Sequence, residues 1–81
     1  MNEIQIKRKN RQIGVALCIL EGKSTREVSE EYSISRYTVK RDLEELYLNG
    51  YGKNAEENKR NRILAYKALK VIEARTTKKI N

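Results

Sequence analysis

The chain has 81 residues, which is enough for one small domain with a limited hydrophobic core. Its 18 Lys and Arg residues outnumber its 11 Asp and Glu residues, and the resulting net charge of +7 favours a polyanionic partner. The sequence has no His, a single Cys and no Gly-rich phosphate loop, so it lacks the groups that most enzymes and zinc sites use. We therefore expect a protein that is not an enzyme and that uses no cofactor, metal or small-molecule ligand.

The start of the chain is polar and shows no signal-peptide pattern. No apolar run approaches the roughly 20 residues that a membrane-spanning helix needs, so we expect a cytoplasmic protein with no membrane partner. The single cysteine, Cys18, lies in an apolar run and is expected to pack as a small buried hydrophobic residue.

Helical patterns cover the chain, and they predict one all-α domain over residues 1–81 with about four helices and no wing. The first helix is predicted to begin at Ile6 or Lys9 and to end at Glu21, before a capping Gly22. Its predicted core positions follow amphipathic helical spacing and are Ile13, Ala16, Leu17 and Leu20. The basic residues near its start either flank a bound duplex or keep the protein soluble: Lys7, Arg8, Lys9 and Arg11.

Residues 24–48 are predicted to form a helix-turn-helix, in which a short turn makes the following helix project from the domain. Ser24 and Glu27 match a capping box, which fixes where the helix before the turn begins. The inward face of that helix is predicted to carry Val28 and Tyr32. The turn covers residues 33–35, with Ile34 directed into the core.

The helix after the turn is predicted to begin at an N-cap residue, Ser35, and to end at about residues 46–48 before Asn49 and Gly50. Its inward residues are Val39, Leu43 and Leu46. Its outward residues share one helical face and are Arg36, Tyr37, Lys40 and Arg41. This segregation predicts a surface that binds duplex DNA, because Arg and Lys bind phosphates and Arg also matches the two acceptors of guanine. The alternative interpretation is a solvated basic face.

Other residues complete the predicted interface. Ser35 lies where it can reach a phosphate at the helix N-terminus, and Thr25 and Arg26 are placed for contacts with the phosphate backbone.

A fourth helix is predicted over about residues 54–75, capped by Asn54, with a basic tail after it that frays. Its apolar stripe is Leu64, Ala65, Ala68, Leu69 and Ile72. Its basic residues either track phosphates, enter a minor groove or are simply solvated: Lys53, Lys59, Arg60, Arg62, Lys67, Lys70, Arg75, Lys78 and Lys79. Tyr47, Tyr51 and Tyr66 are predicted to form a seam between the last two helices.

Residues 33–43 resemble the stage III sporulation protein D family of helix-turn-helix transcription regulators, and the resemblance extends over about residues 11–75. The same core also resembles the recognition helix of winged-helix repressors of the deoxyribose-operon type, although no strand pair follows it here. The resemblance implies a small sporulation regulator that activates some genes and represses others. It implies a recognition helix in the major groove, carried by Arg36, Tyr37, Lys40 and Arg41, and a minor-groove element at Arg75, Lys78 and Lys79. Ser33 occupies a turn position that usually carries Gly, so its backbone would have to be strained or left-handed.

Two alternatives to a sporulation regulator remain. The first is a DNA-binding regulator from a phage or mobile element. The second is a helical protein–protein adaptor that would use Leu64, Leu69 and Ile72 as its interface, with the basic face idle. The expected partner is double-stranded DNA, bound by a monomer or a weak homodimer, with RNA polymerase as a further candidate partner.

Overall fold

The computed structural model describes the backbone of residues 2–80 and the side chains of residues 2–75. Over these residues the chain forms four α-helices and no strand. They are α1 (Glu3–Leu20), α2 (Thr25–Tyr32), α3 (Arg36–Asn49) and α4 (Ala55–Ile80). The described chain therefore confirms the predicted all-α architecture with four helices and no wing.

Side-chain caps fix the starts of α2, α3 and α4 at the predicted residues. The Ser24 hydroxyl accepts a hydrogen bond from the Glu27 backbone N–H at 3.1 Å, and the Glu27 carboxylate accepts from the Ser24 N–H at 3.0 Å. Ser35 accepts from the Thr38 N–H at 3.0 Å. Asn54 accepts from the Glu57 N–H in the same way, at 2.8 Å. Each cap fixes the residue at which its helix begins, and the spacing of the apolar residues after it determines which side of the helix can face the core.

Two predicted helix boundaries are wrong. Helix α1 begins at Glu3 rather than at Ile6 or Lys9, because Asn2 and Gln5 form a reciprocal capping box earlier in the chain. Helix α4 continues to Ile80 rather than ending near Arg75. No Gly or Pro follows Arg75, so nothing in the sequence interrupts the helical hydrogen bonds there.

The turn between α2 and α3 has the predicted left-handed residue. Ser33 has φ 55° and ψ 45°, a conformation that costs a residue with a Cβ more than it costs Gly. The next residue, Ile34, donates its backbone N–H to the Ser29 carbonyl at 3.0 Å and packs its side chain against the core. This three-residue turn therefore redirects the chain without leaving its apolar centre in water.

The hydrophobic core lies where α1, α3 and α4 meet, and α2 packs onto its edge. Val39, Leu43 and Leu46 of α3 are fully buried, as predicted. In α1 the prediction is partly wrong, since Leu17 and Leu20 are 46% and 37% exposed. The residues that α1 buries are instead Lys9, Gln12, Val15, Ala16, Cys18 and Ile19. Residues 15–20 are apolar on almost every side of the helix, so contacts with the other helices decide which face turns inward.

Polar contacts fix α1 against its neighbours. The Arg11 guanidinium donates two hydrogen bonds, each of 2.8 Å, to the carboxylate of Asp42 in α3, and Asp42 is only 2% exposed. Gln12 donates to Glu45 at 2.9 Å, and the Lys9 ammonium lies 3.5 Å from Glu57. Lys9 and Arg11 therefore stabilise the fold, which is neither of the two roles predicted for them.

Candidate nucleic-acid interface

The first two turns of α3 present a basic surface on the side opposite the core. Arg36, Tyr37, Lys40 and Arg41 are all exposed, and Tyr37 is 73% exposed. Val39 and Leu43, which alternate with them in the sequence, are fully buried. The Ser35 cap fixes where α3 begins, and the burial of Val39 and Leu43 turns the cationic residues outward. We call these four exposed residues the α3 basic face.

The first turn of α3 carries no negative charge. The first turns of α1, α2 and α4 each contain a glutamate, whereas the first turn of α3 contains no acidic residue. The positive end of the α3 dipole is therefore not neutralised by a carboxylate of its own helix. Arg36 and Lys40 make no hydrogen bond or ion pair with any side chain that the structure describes. Their charges are thus available to a ligand.

Arg41 and Tyr37 form a pair within the α3 basic face. The Arg41 guanidinium carbon lies 5.9 Å from the centre of the Tyr37 ring, which is the range of a cation–π contact. The contact holds the guanidinium beside the exposed ring while its N–H groups stay in solvent. Glu44 is exposed one turn after Lys40 and ends the basic surface. Sequence reasoning missed Glu44, although a carboxylate at this spacing can accept a hydrogen bond from the cytosine amino group.

The predicted residues at the start of α2 are differently placed. Thr25 is half-buried at the first position of the helix, and Arg26 is exposed. The Arg26 Nε donates to Glu30 at 3.2 Å, an i,i+4 ion pair on the helix surface. Exposed pairs of this kind contribute little stability, so a phosphate could replace Glu30 at small cost. The Glu27 carboxylate, by contrast, is held in the cap, and the hydrogen bond from the Ser24 N–H lowers its pKa.

A second basic surface lies on α4 beside α3. The Arg62 Nε donates to the Tyr47 carbonyl at 2.9 Å, and its guanidinium carbon lies 5.9 Å from the Tyr47 ring centre. The Tyr47 and Tyr66 rings are 5.9 Å apart, and the Lys70 ammonium lies 5.4 Å from the Tyr66 ring. With Lys59 and Ile63, three of these residues line a shallow groove of about 230 Å³. The predicted tyrosine seam is thus confirmed for Tyr47 and Tyr66, whereas Tyr51 packs against the core.

The C-terminal candidates are only partly described. The Arg75 guanidinium donates to the Lys23 carbonyl at 2.9 Å, so it fastens α4 to the loop between α1 and α2. The same arrangement places its charge near Glu27, where it contributes to the lowered pKa of that carboxylate. The side chains of Lys78 and Lys79 lie outside the described residues, although the α4 backbone runs through both positions.

The loop between α1 and α2 carries a small polar cluster away from the α3 basic face. The buried Cys18 thiol donates to Glu31 at 3.4 Å, and the Lys23 ammonium lies 2.9 Å from the same carboxylate. Burial and the hydrogen bond to Glu31 raise the pKa of the Cys18 thiol. The hydrogen bonds from Lys23 and Cys18 lower the pKa of Glu31. The buried position of Cys18 confirms its predicted packing role.

No protein-family model, no curated protein and no solved structure matches this chain. Within the described residues, no helix is both long enough and apolar enough to cross a membrane. The same residues contain no cluster of three or more His, Cys, Asp or Glu side chains that could hold a metal ion.

Proposed function

We propose that this protein is a sequence-specific DNA-binding regulator of transcription that inserts the N-terminal half of α3 into the major groove. The observation that carries this proposal is the α3 basic face, whose four residues are exposed while the opposite side of the same helix forms the core. Because the opposite side of α3 is packed in the core, its exposed side can enter a groove without disturbing the fold. A ligand with closely spaced negative charges and a groove of helical width fits this surface best.

The residues of the α3 basic face have different proposed roles. Arg36, at the start of α3, binds a phosphate together with the Ser35 cap. Lys40 and Arg41 lie one turn further along and reach base edges, where Arg41 donates two hydrogen bonds to a guanine. Tyr37 donates to a phosphate or contacts a thymine methyl group. These assignments predict that changes at Lys40 and Arg41 alter the preferred sequence, whereas changes at Arg36 weaken binding to all sequences.

The flanking residues are proposed to bind the DNA backbone. Thr25 and Arg26 lie at the α2 N-terminus, where free backbone N–H groups favour anions. On the other side of α3, Lys59 and Arg62 lie beside Tyr47 and Tyr66, whose hydroxyl groups can also donate to phosphates. Arg75, Lys78 and Lys79 are proposed as a contact with the adjacent minor groove, on the basis of the family resemblance.

The same resemblance suggests the biological setting. The motif over residues 33–43 supports a regulator of the sporulation type that activates some promoters and represses others. A regulator from a phage or mobile element would use the same surface in the same way. RNA polymerase is the proposed protein partner in either setting, because an activator must contact it or alter its access to DNA.

The adaptor alternative loses its proposed interface in this fold. Leu64, Leu69 and Ile72, which that interpretation requires on the surface, are half-buried and pack against the core. An adaptor would also leave the α3 basic face without a role. The packing of these three residues therefore argues against the interface that the adaptor interpretation assigned to them.

Selection of bound fragments from random duplex DNA tests the proposal directly. We expect one enriched sequence of major-groove character, and its symmetry will report whether one or two copies bind. Lys40→Ala and Arg41→Ala should each reduce affinity for that sequence about 10- to 100-fold and reduce the preference at one base pair. The matched control is Lys67→Ala, which removes one exposed charge from α4 without touching α3. No enrichment, or unchanged specificity in the Lys40→Ala/Arg41→Ala double variant, would contradict the proposal.

A further inference from the structure

Helix α1 carries an apolar stripe that faces solvent. Ile6, Leu17 and Leu20 are 42%, 46% and 37% exposed, Asn10 is exposed, and Ile13 is half-buried. The spacing between successive members, Ile6, Asn10, Ile13, Leu17 and Leu20, alternates between four and three residues. This alternation repeats every seven residues and is the spacing of the a and d positions where two helices pair. We call these five residues the α1 stripe.

The rest of the domain covers the α1 stripe only in part. On one side of it, α4 packs against α1 through the ion pair between Lys9 and Glu57. On the other side, α3 contacts α1 through Arg11 and Asp42, and α2 contacts it through Cys18. The stripe lies in the sector between these contacts. Ile13 packs partly against the core, and Ile6 and Asn10 border a groove with Gly52 and Lys53. The apolar surface that stays in solvent is therefore the outer part of Ile6, Leu17 and Leu20.

We propose that the α1 stripe pairs with the α1 stripe of a second copy of this chain, in antiparallel orientation. The occupant is a second copy because the charges at the two ends of the stripe, Lys7 and Glu21, are complementary to each other. An antiparallel arrangement brings Lys7 at the start of one helix towards Glu21 at the end of the other, and it does so twice. It also opposes the two helix dipoles favourably.

Asn10 gives this interface its register. A polar residue within an apolar seam lowers the stability of a helix pair but disfavours alignments that leave its amide without a hydrogen-bond partner. Asn10 is exposed in the single chain, so its conformation there needs no such partner. The stripe is also short, with only four apolar residues per copy, and it buries less than the about 800 Å² per partner of a standard interface. We therefore expect a weak dimer that forms at high micromolar protein concentration.

Sedimentation equilibrium of the full chain without DNA tests the proposal, over protein concentrations from about 10 to 500 μM. The average mass should rise from the monomer value of 9.5 kDa towards twice that value as the concentration increases. Leu17→Glu should remain monomeric throughout, with helix content by circular dichroism equal to that of the original chain. The matched control is Leu48→Glu, at a residue of α3 that is 72% exposed but lies outside the stripe; it should associate like the original chain.

A charge exchange tests the orientation of the pair. Lys7→Glu alone should weaken association, and the double variant Lys7→Glu/Glu21→Lys should restore it. Mass that stays at the monomer value in the original chain overturns the proposal, as does association of Leu17→Glu at the original strength. Failure of the double variant to restore association overturns the antiparallel arrangement. Because no DNA is present, these results are independent of whether the α3 basic face binds DNA.

Discussion

Single residues show both the strength and the limit of sequence reasoning for this chain. The left-handed conformation of Ser33 could be predicted because the family that this segment resembles usually carries Gly at the same turn position. The burial of Asp42 could not. Asp42 lies between Arg41 and Leu43 in a basic stretch, and its partner Arg11 is 31 residues away. Only the packing of α1 against α3 brings these two charges together, and no spacing rule contains that information.

The left-handed turn residue predicts a stabilising substitution. Ser33→Gly should raise the free energy of unfolding by about 0.5–1 kcal/mol. Gly removes the conformational cost of positive φ in the folded state, and this gain is larger than the loss that comes from the greater entropy of Gly in the unfolded chain. Urea denaturation followed by circular dichroism measures this change. The control is Ser29→Gly, inside α2, which should lose about 0.5 kcal/mol because Gly is the poorer helix former. A loss of stability in Ser33→Gly would show that the turn does not carry this strain.

At the scale of the helices, the caps of α2, α3 and α4 were predictable, whereas the Asn2 cap and the buried face of α1 were not. Ser24, Ser35 and Asn54 each start a helix through contacts within four residues, so their motifs can be recognised in the sequence. In α1, the apolar run over residues 15–20 fits more than one helical face. Polar contacts to α3 and α4 select the face with Gln12 and Ile19, and they leave the α1 stripe outside. Because this apolar run fits more than one helical face, the apolar residues that are not buried form part of the α1 stripe, which is the proposed dimer interface.

The cap of α4 predicts a pH-dependent contribution to stability. The pKa of Glu57 is lowered from its ordinary value of 4.5, first by the hydrogen bond from the Lys53 backbone N–H and also by the charge of Lys9. Its stabilising contribution is therefore fully present above pH 4.5 and is lost as the pH falls through the lower folded-state pKa. Glu57→Gln should accordingly be less stable than the original chain at neutral pH, and the difference should shrink as the pH falls below 4.5.

Urea denaturation at pH values between about 3 and 7 measures this difference. The matched control is Glu56→Gln, at a carboxylate that makes only an exposed pair with Arg60. Its effect should be small at every pH. A loss in Glu57→Gln that stays constant across this range would contradict the linkage to the carboxylate charge.

At the scale of the whole molecule, the length of α4 accounts for the length of the protein, and the charge of each proposed surface distinguishes the partner that it would bind. A helix of 26 residues is about 39 Å long at 1.5 Å per residue, which is close to the 42 Å length of the molecule. Helices α1 and α3 pack along it, so the α3 basic face and the α1 stripe are held by one rigid support. The α3 basic face carries positive charge and the α1 stripe is mainly apolar. DNA binding and self-association should therefore respond differently to salt.

Salt should therefore act in opposite directions on the two proposed interactions. DNA affinity should fall about 10³-fold or more between about 50 and 200 mM salt if six or more phosphates are contacted, because binding releases counterions. Self-association should strengthen modestly over the same range, because salt screens the repulsion between two chains of net charge +7. Fluorescence anisotropy with labelled duplex and sedimentation equilibrium measure the two effects. Parallel responses would mean that one of the two surfaces is wrongly assigned.

The contact between α2 and α1 can be followed through the reaction rate of the single thiol of the chain, Cys18. Cys18 is 8% exposed and contacts Glu31 and Tyr32, so movement of α2 away from α1 should increase the access of a thiol reagent to its sulfur. The rate of alkylation, compared with that of the unfolded chain, thus reports how often this edge of the domain opens while the remainder stays folded. A duplex that clamps α2 and α3 together would slow the reaction, and the thiol would serve as a reporter of occupancy that requires no label.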